Sequence, residues 1–284
     1  MTTVAIKDTT IRAPAERIMG KAVRAVTWMS ARGFRLLRDL LQLGGLLPLA
    51  ILFLIWQIVA PDDSPYFPPP STWREGLSQL WRSGALLPAA GATLLTLSIA
   101  LVVATILGTL LGLAVGASDR VGAALTPTLE FARVMPPAAL VPLATLLIGY
   151  GQAMKVTLVV LAAIWPILLN TRTGVRELDP VLLDTARSLR LDKSAVASKV
   201  LAPAILPAVL LGARVAAPIA LAVTLLVELV TGVNGLGALL ALSQRNYQPS
   251  RVYALIVISG LFTLLVSRLI AGLEALCIRN RSPR

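Results

Sequence analysis

Between two long apolar stretches lies a run of charged and small residues, Asp179 to Pro207, whose spacing suits docking more than bond making. Asp184, Thr185, Ala186, Arg187, Leu189 and Arg190 fall within one short segment of it, and Pro203 follows a second. Asp179-Pro180 is a good helix start. The carboxylate can accept from exposed first-turn amides, and proline at the first helical position loses no hydrogen bond. From Val181 to Leu191, Leu182, Ala186 and Leu189 recur on one helical face, leaving Asp184, Arg187 and Arg190 on the others. Asp192 is placed to cap a second short helix carrying Val196 and Val200, expected to end before Pro203. Two such helices make a knob sized for a groove on another protein.

Catalytic chemistry has little to stand on. The chain has no histidine and one cysteine, Cys277, which removes imidazole ligands, histidine proton relays and an internal disulfide. Cys277 is expected to be a buried, inert thiol. The sequence holds no GxxxxGK[ST] phosphate loop, so ATP chemistry would come from a partner. We expect no metal, no cofactor and no enzyme activity.

Other candidates lie inside apolar runs. Glu228 and Arg214 share one run, about 21 Å apart along a helix and too distant to pair. Arg214 is expected to snorkel or to brace the charged block, and Arg268 to snorkel. Glu228 either contacts a partner, gates a pathway or bonds to a neighbouring helix; charges within a membrane are functional candidates. Arg133-Val-Met-Pro136-Pro137, followed by Pro142, predicts a broken helix whose freed carbonyls need protein or water partners. Such a break either lines a pathway or is housed by packing. Asn170 and Thr171 close the next apolar run, just before the block.

These residues must be held by an all-α integral membrane protein. Hydrophobic residues make up 56% of the chain and charged residues 14%, and mean hydropathy is +0.80; soluble proteins carry about 25% charged residues. Continuous apolar runs exclude a β-barrel. About six transmembrane helices are expected, at about 44–60, 85–115, 128–149, 155–173, 205–230 and 252–277. Residues 1–43 form a basic N-terminal segment, 44–278 the transmembrane domain with a cytoplasmic loop over 174–204, and 279–284 a basic tail.

The net charge of +12 follows this layout. Eight basic residues precede Gly44, six lie between Arg172 and Lys199, and Arg279, Arg281 and Arg284 close the chain. Lys and Arg collect on the cytoplasmic side, which puts both termini and the block in the cytoplasm of a bacterial inner membrane. Nucleic-acid binding is not needed to explain the charge. Residues 15–41 are expected to form a basic amphipathic helix on anionic headgroups. The first apolar run should act as an uncleaved signal anchor. Pro61 to Pro70 reads as an extended external loop, and Thr72–Trp81 as a short interfacial helix. Ala104, Gly108, Gly112 and Gly116, four apart, predict a groove for close helix packing.

With these residues assembled, a resemblance emerges. Asp184-Thr-Ala186, three residues, Arg190, nine residues and Val200-Leu-Ala-Pro203 resemble the EAA loop of ABC importer permeases, whose pattern is EAA, three residues, Gly, nine residues and Ile-x-Leu-Pro. The departure is Arg190 at the glycine position. A left-handed turn there costs arginine about 1 kcal/mol or more, so either the turn is rebuilt or the side chain makes a new polar contact. Phe67-Pro-Pro-Pro-Ser71, Pro136 to Pro142, Gly149-Tyr-Gly151, Asn170-Thr171 with Gly174, and Glu228 with Gly235-Leu-Gly237 are similar to the nitrate/sulfonate/taurine/bicarbonate branch of type I importers. The likeness runs from about Pro68 to Ser267.

The resemblance implies a permease homodimer with ATP-binding subunits beneath it and a periplasmic binding protein above. Asp184, Thr185, Ala186, Arg187, Leu189, Arg190 and Pro203 would couple to the ATPase, with Glu228, Asn170, Pro136 and Pro137 as pathway or gate candidates. The cargo implied is a small anion such as an aliphatic sulfonate, taurine or nitrate. A secondary transporter driven by an ion gradient is the alternative, or a same-family permease for a nitrogen-heterocycle precursor.

Overall fold

The computed structural model describes residues 47–61, 64 and 66–279, the side chains of 47, 49 and 273–279 excepted. The expected N-terminal amphipathic helix and the Cys277 thiol lie outside the described residues. The chain divides into two units, 1–62 and 63–284. In the first, α1 (Leu47–Val59) is apolar but for Gln57, and Phe53 and Trp56 stack their rings 6.3 Å apart. At 13 residues it is shorter than the 20 or so needed to cross a bilayer.

Every regular element described in the second unit is a helix. α2 (Pro70–Arg82) starts where the proline run ends and packs on the last helix, with Trp73 stacked on Tyr253 at 5.4 Å. α3 (Leu86–Gly116) and α6 (Gln152–Arg176) are long and apolar. α8 runs unbroken over Lys193–Thr231 and α10 over Pro249–Arg279, with the short α9 (Leu236–Arg245) between them. Four of these helices can each span a bilayer, and a bent pair makes up to five. Six were expected; the difference is the first run, of which the described part is only α1.

The bent pair is α4 (Asp119–Val134) and the segment Pro137–Ile148, whose last part is α5 (Val141–Ile148); they meet at 83°. Met135 and Pro136 at the junction are extended. Consecutive prolines withhold amide donors and push the preceding residue out of the helical region, so the predicted break is found at Pro136-Pro137.

α6 is central, with α3 against one side and α8 against another. Their shared core holds Leu97, Ala100 and Ala104 of α3, Ile167 of α6, and Ala216 and Ala220 of α8. The glycine stripe works as expected. A Cβ on Gly112 would stand 2.6 Å from Thr171 Cβ, and one on Gly116 would stand 2.9 Å from Val175 Cβ. The α3 and α6 backbones therefore approach closely enough for dispersion contacts along their length. A second core, Val141, Ala144, Met154, Leu158 and Val227, fixes the bent segment against α6 and α8.

Candidate functional site

Two charged regions stand at opposite ends of the helical unit. The first is the charged block that begins at Asp179. α7 (Pro180–Ser188) begins as the sequence requires: Val181 N donates to Asp179 Oδ1 at 2.9 Å. Asp192 caps the next helix, accepting from Ser194 N at 3.2 Å.

Between them the chain turns through Arg190, whose φ is +52°. Leu191 N donates to the Ala186 carbonyl at 3.1 Å and Arg190 N to the Arg187 carbonyl at 2.9 Å. That pair of bonds is a Schellman cap, which places its C′ residue in the left-handed region. The turn is therefore kept, with arginine carrying the strain that glycine would avoid. Tyr247, φ +52°, ends α9 in the same way: Gln248 N donates to the Ser243 carbonyl and Tyr247 N to the Gln244 carbonyl.

Two expectations for the block need correction. The second helix does not end before Pro203; it continues through a π-helical stretch, Val196–Leu201, into Ala202–Thr231. Pro203 is the second residue of that α-helical part, directly after the wider π-helical turns. Nor do Leu182, Ala186 and Leu189 share one face as their spacing suggested: Ala186 points inward. It is the one buried side chain of α7, 3% exposed, and α7 packs back on the π-helical stretch. The apolar surface turned outward is Val181, Leu182 and Leu189. Thr185 donates its hydroxyl to the Val181 carbonyl at 2.7 Å, and Asp184 pairs with Arg187 at 3.0 Å, both side chains exposed.

The second region is buried. Glu228, deep in α8, has no exposed surface, and Lys155 of α6 is 1% exposed. Lys155 Nζ donates to Glu228 Oε1 at 3.0 Å and to the Asn234 carbonyl at 2.7 Å. Glu228 Oε2 accepts from Thr93 Oγ1 at 2.9 Å and from Gly237 N at 3.1 Å, while Thr93 Oγ1 accepts from Leu236 N at 2.9 Å. One carboxylate thus joins α3, α6, α8 and the start of α9. Gly235 and Gly237 make this possible: a Cβ on Gly235 would overlap the Glu228 carboxylate, and one on Gly237 would strike the Leu225 carbonyl.

Of the remaining candidates, Pro137 and Asn170 line one cleft of about 500 Å³, together with Arg133 and Trp165. Pro136 caps the short 3₁₀ turn beside it. Glu228 is not in that cleft.

This sequence of broken span, docking helix and long return helix lies within residues 104–276, which match the family described as binding-protein-dependent transport system inner membrane component. The chain belongs to this permease family. It is 30% identical to the taurine transport system permease protein TauC of Escherichia coli K12 over 80% of this chain and 85% of that one. It is 29% identical to the putative aliphatic sulfonates transport permease protein SsuC of Bacillus subtilis, over 84% and 87%. The bicarbonate transport system permease protein CmpB of Synechococcus elongatus is 31% identical, but the match spans 58% of this chain and 60% of CmpB. In fold the chain is similar to an inward-facing MetNI methionine ABC transporter structure, with TM-score 0.61 at 14% identity, covering 69% of this chain and 97% of the other.

Lys155, 1% exposed, is the site residue that sequence reasoning missed. It is the first residue of the expected span 155–173, and nothing beside it in sequence marks its partner. A single lysine and a single glutamate in separate apolar runs were the available signal, since each needs a partner at that depth.

Proposed function

We propose that the chain is the membrane-spanning subunit of an ATP-driven importer, forming the pathway for a small anion delivered by a periplasmic binding protein. The observation that carries this reading is the docking block. It is a capped helix on a strained Schellman turn that holds Val181, Leu182 and Leu189 out of its own core. Exposed apolar residues on a polar knob fit a groove in an ATP-binding subunit. ATP hydrolysis belongs to that partner, because the chain lacks a phosphate-binding loop.

Relatives named for taurine, aliphatic sulfonates, nitrate and bicarbonate support a small oxyanion as cargo. Two copies form the pathway in the inner membrane, with both termini and the block on the cytoplasmic side. The pathway passes the Pro136-Pro137 break, where Pro137 and Asn170 share a cleft. Asp184, Arg187 and Arg190 meet the ATPase; Thr185, Ala186 and Pro203 hold the block in shape. Glu228 acts on gating through its buried contacts and not by touching the solute.

The test is purification of the full complex and uptake into proteoliposomes. An ATP-binding subunit should co-purify, and uptake of an oxyanion should require ATP and persist when ionophores collapse the ion gradients. Uptake that follows the gradient without ATP would show a secondary transporter instead.

A further inference from the structure

The cleft beside the broken span holds a charge that docking and fastening leave unexplained. Its walls include Arg133 and Met135 at the end of α4, Trp165 and Asn170 of α6, and Val223 of α8. Ala162 and Asn170, both in the wall, stand ten and eighteen residues from Gln152 at one end of α6, about 15 and 27 Å along the helix. In a hydrocarbon layer about 30 Å thick, the cleft reaches from the midplane toward the docking block.

At this depth an ionisable side chain marks a function by default. Arg133 Nη2 donates to Glu130 Oε2 at 2.9 Å, yet the two side chains remain 46% and 56% exposed. They sit one helical turn apart on the same helix, an arrangement that holds weakly when half exposed. A guanidinium has five N–H donors in a flat fork, matched to two oxygens of one oxyanion. Asn170 adds an amide to the same cleft, its Nδ2 donating to the Pro166 carbonyl at 2.8 Å and carrying a second N–H. Trp165, Met135 and Val223 offer apolar surface for a short alkyl portion.

We propose that Arg133 is a transient binding contact for the transported solute, trading Glu130 for the oxyanion as it crosses the cleft. Glu130 is the resident stand-in: it keeps the guanidinium paired between passages and competes with the anion, so binding stays weak enough for release. The inference rests on the anion-import function proposed above.

The test uses the complete complex in proteoliposomes with taurine, methanesulfonate, nitrate and bicarbonate as probes. The wild type first shows which of these is taken up. Arg133→Gln should then lower uptake of that anion at least about tenfold while the same amount of complex is recovered, and Arg133→Lys should restore part of it. A second measurement places a cysteine at Met135→Cys in a Cys277→Ser background. It should react faster with an anionic thiosulfonate reagent than with a cationic one, and Arg133→Gln should abolish that preference. Wild-type uptake by Arg133→Gln would overturn the proposal and leave anion import standing. If the wild type takes up none of the four probes, anion import fails and the proposal with it. If glutamine impairs assembly, the Met135→Cys labelling decides alone, and equal rates for the two reagents overturn the contact.

Discussion

Lys155–Glu228 and Asp184–Arg187 are both cation–carboxylate pairs at 3.0 Å. One has side chains 1% and 0% exposed and joins helices distant in sequence; the other is 67% and 79% exposed and spans one turn of one helix. The buried pair has exchanged all its water for Thr93, the Asn234 carbonyl and the Gly237 amide. The exposed pair remains open to solvent. Equal distance conceals opposite settings: a fastening inside the unit, and an exposed pair on the block proposed to meet the ATPase.

The sharpest way to break this contrast is to remove one member of the buried pair. Glu228→Gln or Lys155→Met should each cost about 3–5 kcal/mol, since the remaining charge or polar group stays buried without its counterpart. Thermal unfolding in detergent reads this, and the double variant should recover most of the loss. Single variants as stable as wild type would mean the pair fastens nothing.

Next comes Ala186→Asp, which forces a carboxylate into the inner face of α7. A loss of about 2–3 kcal/mol is expected within the block, seen as faster amide exchange over residues 180–201 with the far end unchanged. Arg190→Gly should act in the opposite direction, slowing exchange across the turn by about 1 kcal/mol through relief of the left-handed strain. If Arg190 also touches the ATPase, the glycine variant will be better folded yet bind that subunit more weakly, whereas equal binding assigns arginine no contact.

Asp184→Ala is the smallest change. Removing an exposed pair should alter stability by no more than about 0.5 kcal/mol, leaving ATPase affinity as the quantity that moves. A stability loss near that of the buried pair would erase the distinction between the two regions.

The parts legible in the sequence are those set by neighbouring residues. Asp179 and Asp192 cap because a carboxylate before a helix start needs nothing distant, and Pro136-Pro137 breaks the span because the backbone allows nothing else. The Gly108–Gly112–Gly116 stripe marks a close contact without naming Thr171 and Val175 as its partners. What was hidden depended on a second element. Lys155 acquires meaning only beside Glu228, 73 residues away. Helical spacing grouped Ala186 with Leu182 and Leu189, but α7 is apolar on both its inner and outer sides and only the inner one takes Ala186. Pro203 looked like a terminus because a π-helical turn ahead of it leaves no sequence mark.

The unbroken course of α8 has a mechanical consequence. Its first residues belong to the docking block, and Glu228 stands 35 residues beyond Lys193, about 52 Å along the same rod. A tilt of about 6° pivoting at the block would carry the Glu228 end through roughly 5 Å, one helical pitch. The π-helical stretch at Val196–Leu201, looser than the helix around it, is where such a rod can yield. If the block were pushed, the stiffness of this rod would set how much of the displacement reaches the Glu228 end.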